Sequence, residues 1–163
     1  MPAAHVDSAA ESGVDILELD NQLCFALHST ARQIVKAYRP ILAQLELTHP
    51  QYLVLLVLWT WASKREPRPT VKALGLRLEL DSGTLTPLLK RLETRGLITR
   101  TRSTADEREL FVHLTPAGQH LKRRARQVPI SLLRQSPVPI EDLIKLRDEL
   151  TRLRRALATE ATP

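Results

Sequence analysis

Cys24 is the one cysteine among 163 residues, and its thiol is the most versatile nucleophile the chain carries. By default a lone cysteine beside an apolar helix stripe is a small buried hydrophobe. The chemical alternative is a thiolate that attacks the terminal oxygen of a peroxide and becomes sulfenic acid. That role needs a lowered thiol pKa, hence hydrogen-bond donors or positive charge close by. Leu23, Phe25 and Leu27 flank it with apolar walls that suit an alkyl hydroperoxide better than hydrogen peroxide. One cysteine excludes an internal disulfide and a zinc site of several thiolates. The sequence offers no metal-ligand cluster, no phosphate-cradling glycine loop and no hydrolytic triad, so neither a metal nor a cofactor is expected.

A second stretch, Leu80 to Thr115, has residues suited to reading a nucleic acid. Asp81 or Ser82 can cap a helix, because their side-chain oxygens accept from free backbone N–H groups. Leu85, Leu88, Leu89 and Leu92 recur at helical spacing and form a buried face, while Thr84, Thr86, Lys90 and Arg91 stay polar. Gly96 fits a C′ glycine that ends the helix. Two short β-rich runs follow, Leu97 to Thr101 and Glu109 to Leu114, around a charged tip, Arg102 to Arg108. The major groove of DNA admits one helix and presents a distinct donor/acceptor pattern for each base pair. An arginine on a projecting hairpin can enter the neighbouring minor groove, where the potential is strongly negative. Short hydroxyls at the helix start allow close approach, and Lys90, Arg91, Arg95, Arg100, Arg102 and Arg108 add positive charge. The plainer reading is a solvated charged helix packed beside a structural hairpin.

These groups need a scaffold. A first helix should run from about Leu17 to Leu45, with Leu23, Leu27, Ile34, Tyr38, Ile41 and Leu45 as its apolar stripe. Pro40 predicts a kink or break near Tyr38–Arg39. Thr48 and Gln51 form a capping box for a second helix that is apolar nearly all round, so it should be the most buried. Trp59 and Trp61 on it read as packing residues. Thr70 can cap a short helix, Val71 to Leu80. Thr115-Pro116 starts another, which Pro129 should interrupt. Ser136 to Pro139 reads as a loop before a last helix, Ile140 to Ala158. Its Leu143, Leu146, Leu150, Leu153 and Leu157 form a narrow coiled-coil-like seam. That seam packs either on a second subunit, the favoured reading, or on the chain's own core.

Length suits one domain, or one domain with an extended dimerisation part. The net charge is +6, which favours an acidic polymer as partner. Residues 51–114 hold 11 Lys and Arg against 7 Asp and Glu, whereas residues 1–50 hold 3 against 6, so the excess is read as sitting with the helix and hairpin. Residues 1–15, rich in alanine, serine and acids, read as a flexible tail. No signal peptide is recognised. The longest apolar run, Tyr52 to Trp59, is far short of the ~20 residues that span a bilayer. A cytoplasmic protein without a membrane partner is expected.

The residues DSGTLTPLLKRLETRGLITR, followed by Asp106, Glu107 and Arg108, resemble the MarR superfamily of bacterial repressors. NQLCFALHSTARQIVKAYRPIL and LTHPQYLVLLVLW resemble its organic-hydroperoxide-sensing branch, usually called OhrR. The resemblance runs from about Leu19 to the C-terminus, with several motifs in the right order. It implies that tyrosine hydroxyls hold the sensing thiolate. Tyr38 matches one such position, and His28 and His49 stand where single-cysteine relatives carry tyrosines. Histidine can also donate, and a charged imidazole would lower the thiol pKa further. The D-x-R motif implies that Asp106 holds the wing while Arg108 enters the minor groove. A second, resolving cysteine of many relatives is missing; Ser131 and Ser136 lie in that region. Spacing adds one inference. Tyr38 lies 14 residues beyond Cys24, roughly 21 Å along a continuous helix. If the two meet, a partner subunit must supply Tyr38, and His49 with it.

The expectation is therefore a mostly α chain with a small β-hairpin wing: a winged helix-turn-helix with N- and C-terminal dimerisation helices. Its parts are a tail (1–15), a dimerisation and sensor helix (16–47), a DNA-binding domain (48–115) and C-terminal dimerisation helices (116–163). The expected function is that of a non-enzymatic, homodimeric repressor. It binds a pseudo-palindromic double-stranded operator and releases it when organic hydroperoxides oxidise Cys24, the sulfenate then being trapped by a low-molecular-weight thiol or oxidised further to an irreversible acid. Ser82, Gly83, Thr84, Thr86, Pro87, Lys90 and Arg91 should face the major groove, with Arg102, Asp106 and Arg108 on the wing. Two alternatives are a repressor released by a small aromatic acid, with Cys24 merely buried, and a thiol peroxidase with an incidental basic surface.

Overall fold

The computed structural model describes residues 15–64, 69–104, 106 and 109–160, the side chains of 159 and 160 excepted. Most of the expected tail lies outside the described residues. A short 3-10 turn, Leu19–Asn21, leads into α1, Leu23–Ala43. Then come α2 (His49–Lys64), α3 (Val71–Leu78), α4 (Ser82–Thr94), β1 (Ile98–Arg102) and β2 (Leu110–Leu114). The chain closes with α5 (Pro116–Ala125), α6 (Gln127–Gln135) and α7 (Ile140–Glu160). Among the described residues the architecture is mostly helical with one antiparallel hairpin, a winged helix-turn-helix.

Local chemistry sets most boundaries. Three helices begin on a side-chain cap of the expected kind: Thr70 accepts from Ala73 N–H, Asp81 from Thr84 N–H and Thr115 from Gly118 N–H. At α2 the Thr48 backbone N–H donates to Gln51 Oε1 at 2.9 Å, one arm of the capping box. Gly96 takes φ +67 just past α4, where a Cβ would be strained. Two expectations about proline need correcting. Pro40 does not break α1 near Tyr38–Arg39; it sits in the last turn, where only the bond to the Lys36 carbonyl is forgone. The interruption assigned to Pro129 falls three residues earlier, at Arg126. Pro129 cannot donate to the Ala125 carbonyl and its ring crowds that oxygen, so the discontinuity appears one turn upstream.

The core centres on α2, whose Tyr52, Val54, Leu55, Leu58 and Trp59 are buried. Leu42 of α1, Leu74 of α3, Leu85, Leu89 and Leu92 of α4, Ile98 and Val112 of the hairpin, and Val128 of α6 close around it. Trp59 packs as expected, and its indole N–H donates to the Gly118 carbonyl at 2.9 Å. The hairpin pairs Ile98 with Leu114 and Arg102 with Leu110. Thr70 bridges to Phe111, which ties the start of α3 to the wing. Among the described residues α7 contributes none to the core; on its leucine seam Leu146 is 47% and Leu157 60% exposed, and Leu143, Leu150 and Leu153 are half-buried. No helix among the described residues is long and apolar enough to cross a membrane.

Candidate functional site

Helix α4 turns Leu85, Leu89 and Leu92 inward, with Leu88 half-buried, and leaves Ser82, Gly83, Thr84, Thr86, Pro87, Lys90 and Arg91 exposed. One polar face therefore carries every residue assigned to the major groove. Asp81 fixes its start: Oδ1 accepts the Thr84 backbone N–H at 2.8 Å and Oδ2 the Thr84 hydroxyl at 2.9 Å. Those bonds, the backbone one first, hold the Asp81 carboxyl below its usual range. The cap also turns the Thr84 hydroxyl back onto the protein, so Ser82 and Thr86 are the short hydroxyls on this face without a protein partner among the described residues, as sequence spacing alone could not tell.

The charge distribution differs from the sequence reading. Arg100 is paired with Glu93, its guanidinium contacting Oε2 at 2.6 and 3.0 Å. Arg95 is turned away to the corner between α1 and α2, where it meets Glu46 at 3.0 Å. Neither projects as a free cation. Lys90, Arg91 and Arg102 carry no ion pair among the described residues and are exposed. Nor is the excess charge confined to the helix and hairpin, since residues 115–163 hold 10 Lys and Arg against 5 Asp and Glu. On the wing, Asp106 N–H donates to Ser103 Oγ at 3.2 Å, and the Asp106 carbonyl accepts from Glu109 N–H at 2.9 Å. Asp106 thus sits in the turn that closes the tip; Arg108 lies outside the described residues. A recess of about 650 Å³ between α3, the start of α4 and the wing is lined by Lys72, Ser82 and Asp106. Lys72 was not singled out by sequence, since on a helix surface nothing marks it from any solvated lysine.

The thiol region is split. Cys24 stands in the first turn of α1 and is exposed, so within one protomer it is not a buried hydrophobe. His28, one turn further on, lines a groove of about 740 Å³ together with Arg32, Lys36, Arg39 and His49. Tyr38 packs on His49 with ring centroids 5.1 Å apart and on Tyr52 at 6.0 Å. The structure thus brings Tyr38, His49 and, across the groove, His28 into one region. It does not bring Cys24 to Tyr38, because α1 runs unbroken between them. Burial pushes the Tyr38 phenol up and the His49 imidazole down. Within one protomer the lowered pKa of His49 favours the neutral imidazole at pH 7, in which one ring nitrogen can still donate. Burial, helped by Tyr38, pushes Tyr52 up to about 12.

Comparison with known proteins agrees with this fold. The family model for the transcriptional regulator SarA/Rot matches residues 36–125. The organic hydroperoxide resistance transcriptional regulator of Bacillus subtilis is 46% identical over 147 residues, 90% of this chain and 97% of that protein. The HTH-type transcriptional regulator TtmR of Methylorubrum extorquens is 44% identical, over 90% of this chain and 73% of its own length. Among solved structures, reduced AbfR bound to DNA superposes with a TM-score of 0.68 at 35% identity, covering 86% of this chain and 94% of that one. AbfR of Staphylococcus epidermidis is also known in overoxidized, DNA-bound and disulfide-formed states. The homologues are transcriptional regulators. The chain belongs to the MarR/SarA superfamily of winged-helix transcriptional regulators, on the branch of the organic hydroperoxide resistance regulators.

Proposed function

We propose that this chain is a homodimeric repressor that holds a pseudo-palindromic operator when reduced and releases it when an organic hydroperoxide oxidises Cys24. The observation that carries the reading is the exposed thiol on an unbroken α1, with Tyr38 and His49 clustered well beyond it. Donors for a thiolate at Cys24 then come from a second protomer, apart from His28 one turn away. The exposed leucines of α7 and the exposed Leu23, Leu27 and Ile34 of α1 supply apolar surface for that pairing. In this assembly residues 16–47 and 116–163 dimerise and residues 48–115 read DNA.

The chemistry balances simply. The thiolate sulfur attacks the terminal oxygen of the hydroperoxide, the O–O bond breaks, and the leaving alkoxide takes a proton to become an alcohol. A low-molecular-weight thiol then condenses with the sulfenic acid and expels water. Tyr38, His28 and His49 donate to the thiolate. A change in their contacts shifts two subunits relative to one another. Two-fold readers bind half-sites about one helical turn apart, so a modest rotation is enough to lose the operator. Ser82, Gly83, Thr84, Thr86, Pro87, Lys90 and Arg91 approach the major groove, Thr84 as part of the cap. Arg102 and Arg108 approach the minor groove beside Asp106. Such a protein works in the cytoplasm, on chromosomal DNA.

A gel shift on the DNA upstream of the protein's own gene, with and without cumene hydroperoxide, tests the proposal. Reduced protein should retard the fragment and oxidised protein should not. Retention after full oxidation of the thiol sinks the redox part. One observation favours a second reading: the groove beside His28 has an apolar floor of Ala31, Val35 and Leu47 under three cations, a shape suited to a small aromatic acid. Release by such an acid, with an unreactive thiol on titration, would select that reading.

A further inference from the structure

The corner between α1 and α2 is a helix end of a particular kind. Leu47 N–H donates to the Leu42 carbonyl at 3.0 Å and Glu46 N–H to the Ala43 carbonyl at 2.9 Å. Glu46 sits at φ 53 in the left-handed region. This is a Schellman motif, with glutamate where glycine is usual. It leaves the carbonyls of Gln44, Leu45 and Glu46 without helical donors at the negative end of α1. Each is taken by a guanidinium from elsewhere in the chain. Arg124 of α5 donates to the Gln44 carbonyl at 2.9 Å. Arg95 donates to the Leu45 carbonyl at 3.2 Å and to that of Glu46. Arg95 is also the residue that ends α4, its own N–H donating to the Arg91 carbonyl.

One residue therefore closes the recognition helix with its backbone and the sensor helix with its side chain. We infer that Arg95 is a positioning residue that couples the end of α1 to the recognition helix, so that displacement of α1 changes how α4 meets DNA. The contact is built on backbone carbonyls. Its carboxylate arm, to Glu46, is secondary, since that side chain is 82% exposed while Arg95 is 29% exposed. The carbonyls cannot be lost by drift in the sequence, and they report the position of the helix end itself. A displacement of α4 relative to α1 must break or stretch two charge-assisted bonds at one guanidinium.

The oxidation arm of the test rests on the redox reading above; the exchange arm does not. Dissociation constants on the upstream DNA are measured for wild type, Arg95→Ala and Arg95→Lys, each reduced and treated with cumene hydroperoxide. Arg95→Ala should shrink the ratio of oxidised to reduced constants by about fivefold or more, with Arg95→Lys between it and wild type. Hydrogen exchange at residues 44–47 is followed with and without DNA. Operator binding should slow it in wild type and leave it unchanged in Arg95→Ala. A variant with a lower melting temperature but a wild-type ratio and wild-type protection by DNA has lost only a helix cap, and overturns the coupling. A wild type deaf to peroxide refutes the redox reading alone, and the exchange result then decides the role of Arg95.

Discussion

Arg100 of β1 grips Glu93 of α4 in two ways: its guanidinium reaches Oε2 at 2.6 and 3.0 Å, and its backbone N–H donates to Oε1 at 3.0 Å. Helix α4 and the first wing strand are thereby held as one unit, so the helix and the hairpin keep a fixed spacing.

This pair predicts a pH-dependent stability. The Arg100 side chain, by hydrogen bond more than by charge alone, holds the Glu93 carboxyl below its usual range. A depressed acid stabilises the fold above its unfolded pKa, and that contribution is lost as pH falls through the lowered folded value. Glu93→Gln should cost about 1 kcal/mol at pH 7, discounted for partial exposure of the pair. Denaturant melts of both proteins should converge as pH is taken down through the carboxylate range. A gap that is constant with pH would assign the loss to packing.

Close approach at the base of the wing gives a second prediction. A Cβ on Gly118 would lie 2.1 Å from the Leu97 carbonyl oxygen, a backbone atom that cannot swing aside. The same glycine's carbonyl accepts the Trp59 indole N–H, so a shift of α5 also disturbs the core. Gly118→Ala should destabilise by about 1–3 kcal/mol. A thermal melt within error of wild type would mean that α5 moves freely on the hairpin.

How far the sequence reaches is clear from these residues. The caps Thr70, Asp81 and Thr115 and the stop at Gly96 were legible because each is local chemistry within three or four positions. The exposed face of α4 followed from leucine spacing for the same reason. Arg95 and Arg100 were read as DNA-facing charge, because sequence does not say which acids or carbonyls they find; Arg95 meets a corner 49 positions away. The left-handed Glu46 carries no glycine signal. Pro40 and Pro129 show the limit of a breaker residue, which marks a missing bond but not where the chain absorbs it. At the thiol, the unbroken α1 was half legible, since the apolar stripe continued past Tyr38 despite the proline. The meeting of Tyr38, His49 and Tyr52 depends on how α2 packs back on α1.

The geometry of α1 makes a trans-subunit site testable without a structure of the dimer. Separated by 14 positions on an unbroken helix, Cys24 and Tyr38 are about 21 Å apart in one chain. Cys24→Ser should bind the upstream DNA and ignore cumene hydroperoxide. Tyr38→Phe should react more slowly, because a donor to the thiolate is gone. In a mixed dimer of the two variants, one site recovers both Cys24 and Tyr38 if they act across the interface. Stopped-flow oxidation of that mixture should then show a wild-type rate for a fraction of the thiols. A uniformly slow reaction would place the support in the same chain, or nowhere.

The wing offers the last prediction, and Arg100 its internal control. Arg108, given the minor-groove role by the D-x-R motif, should lose about 1–3 kcal/mol of operator affinity on replacement by alanine. Lys90 and Arg91, exposed and without ion pairs among the described residues, are free to meet phosphates or base edges. Replacing one that meets a phosphate should lower the slope of log affinity against log salt by about 1. Arg100 is spent on Glu93, so Arg100→Ala should leave the salt slope unchanged while reducing thermal stability. Equilibrium binding at several salt concentrations separates the three behaviours. A salt slope that falls as much for Arg100→Ala as for Lys90→Ala would show that the pair with Glu93 opens on DNA and that the wing arginines act together.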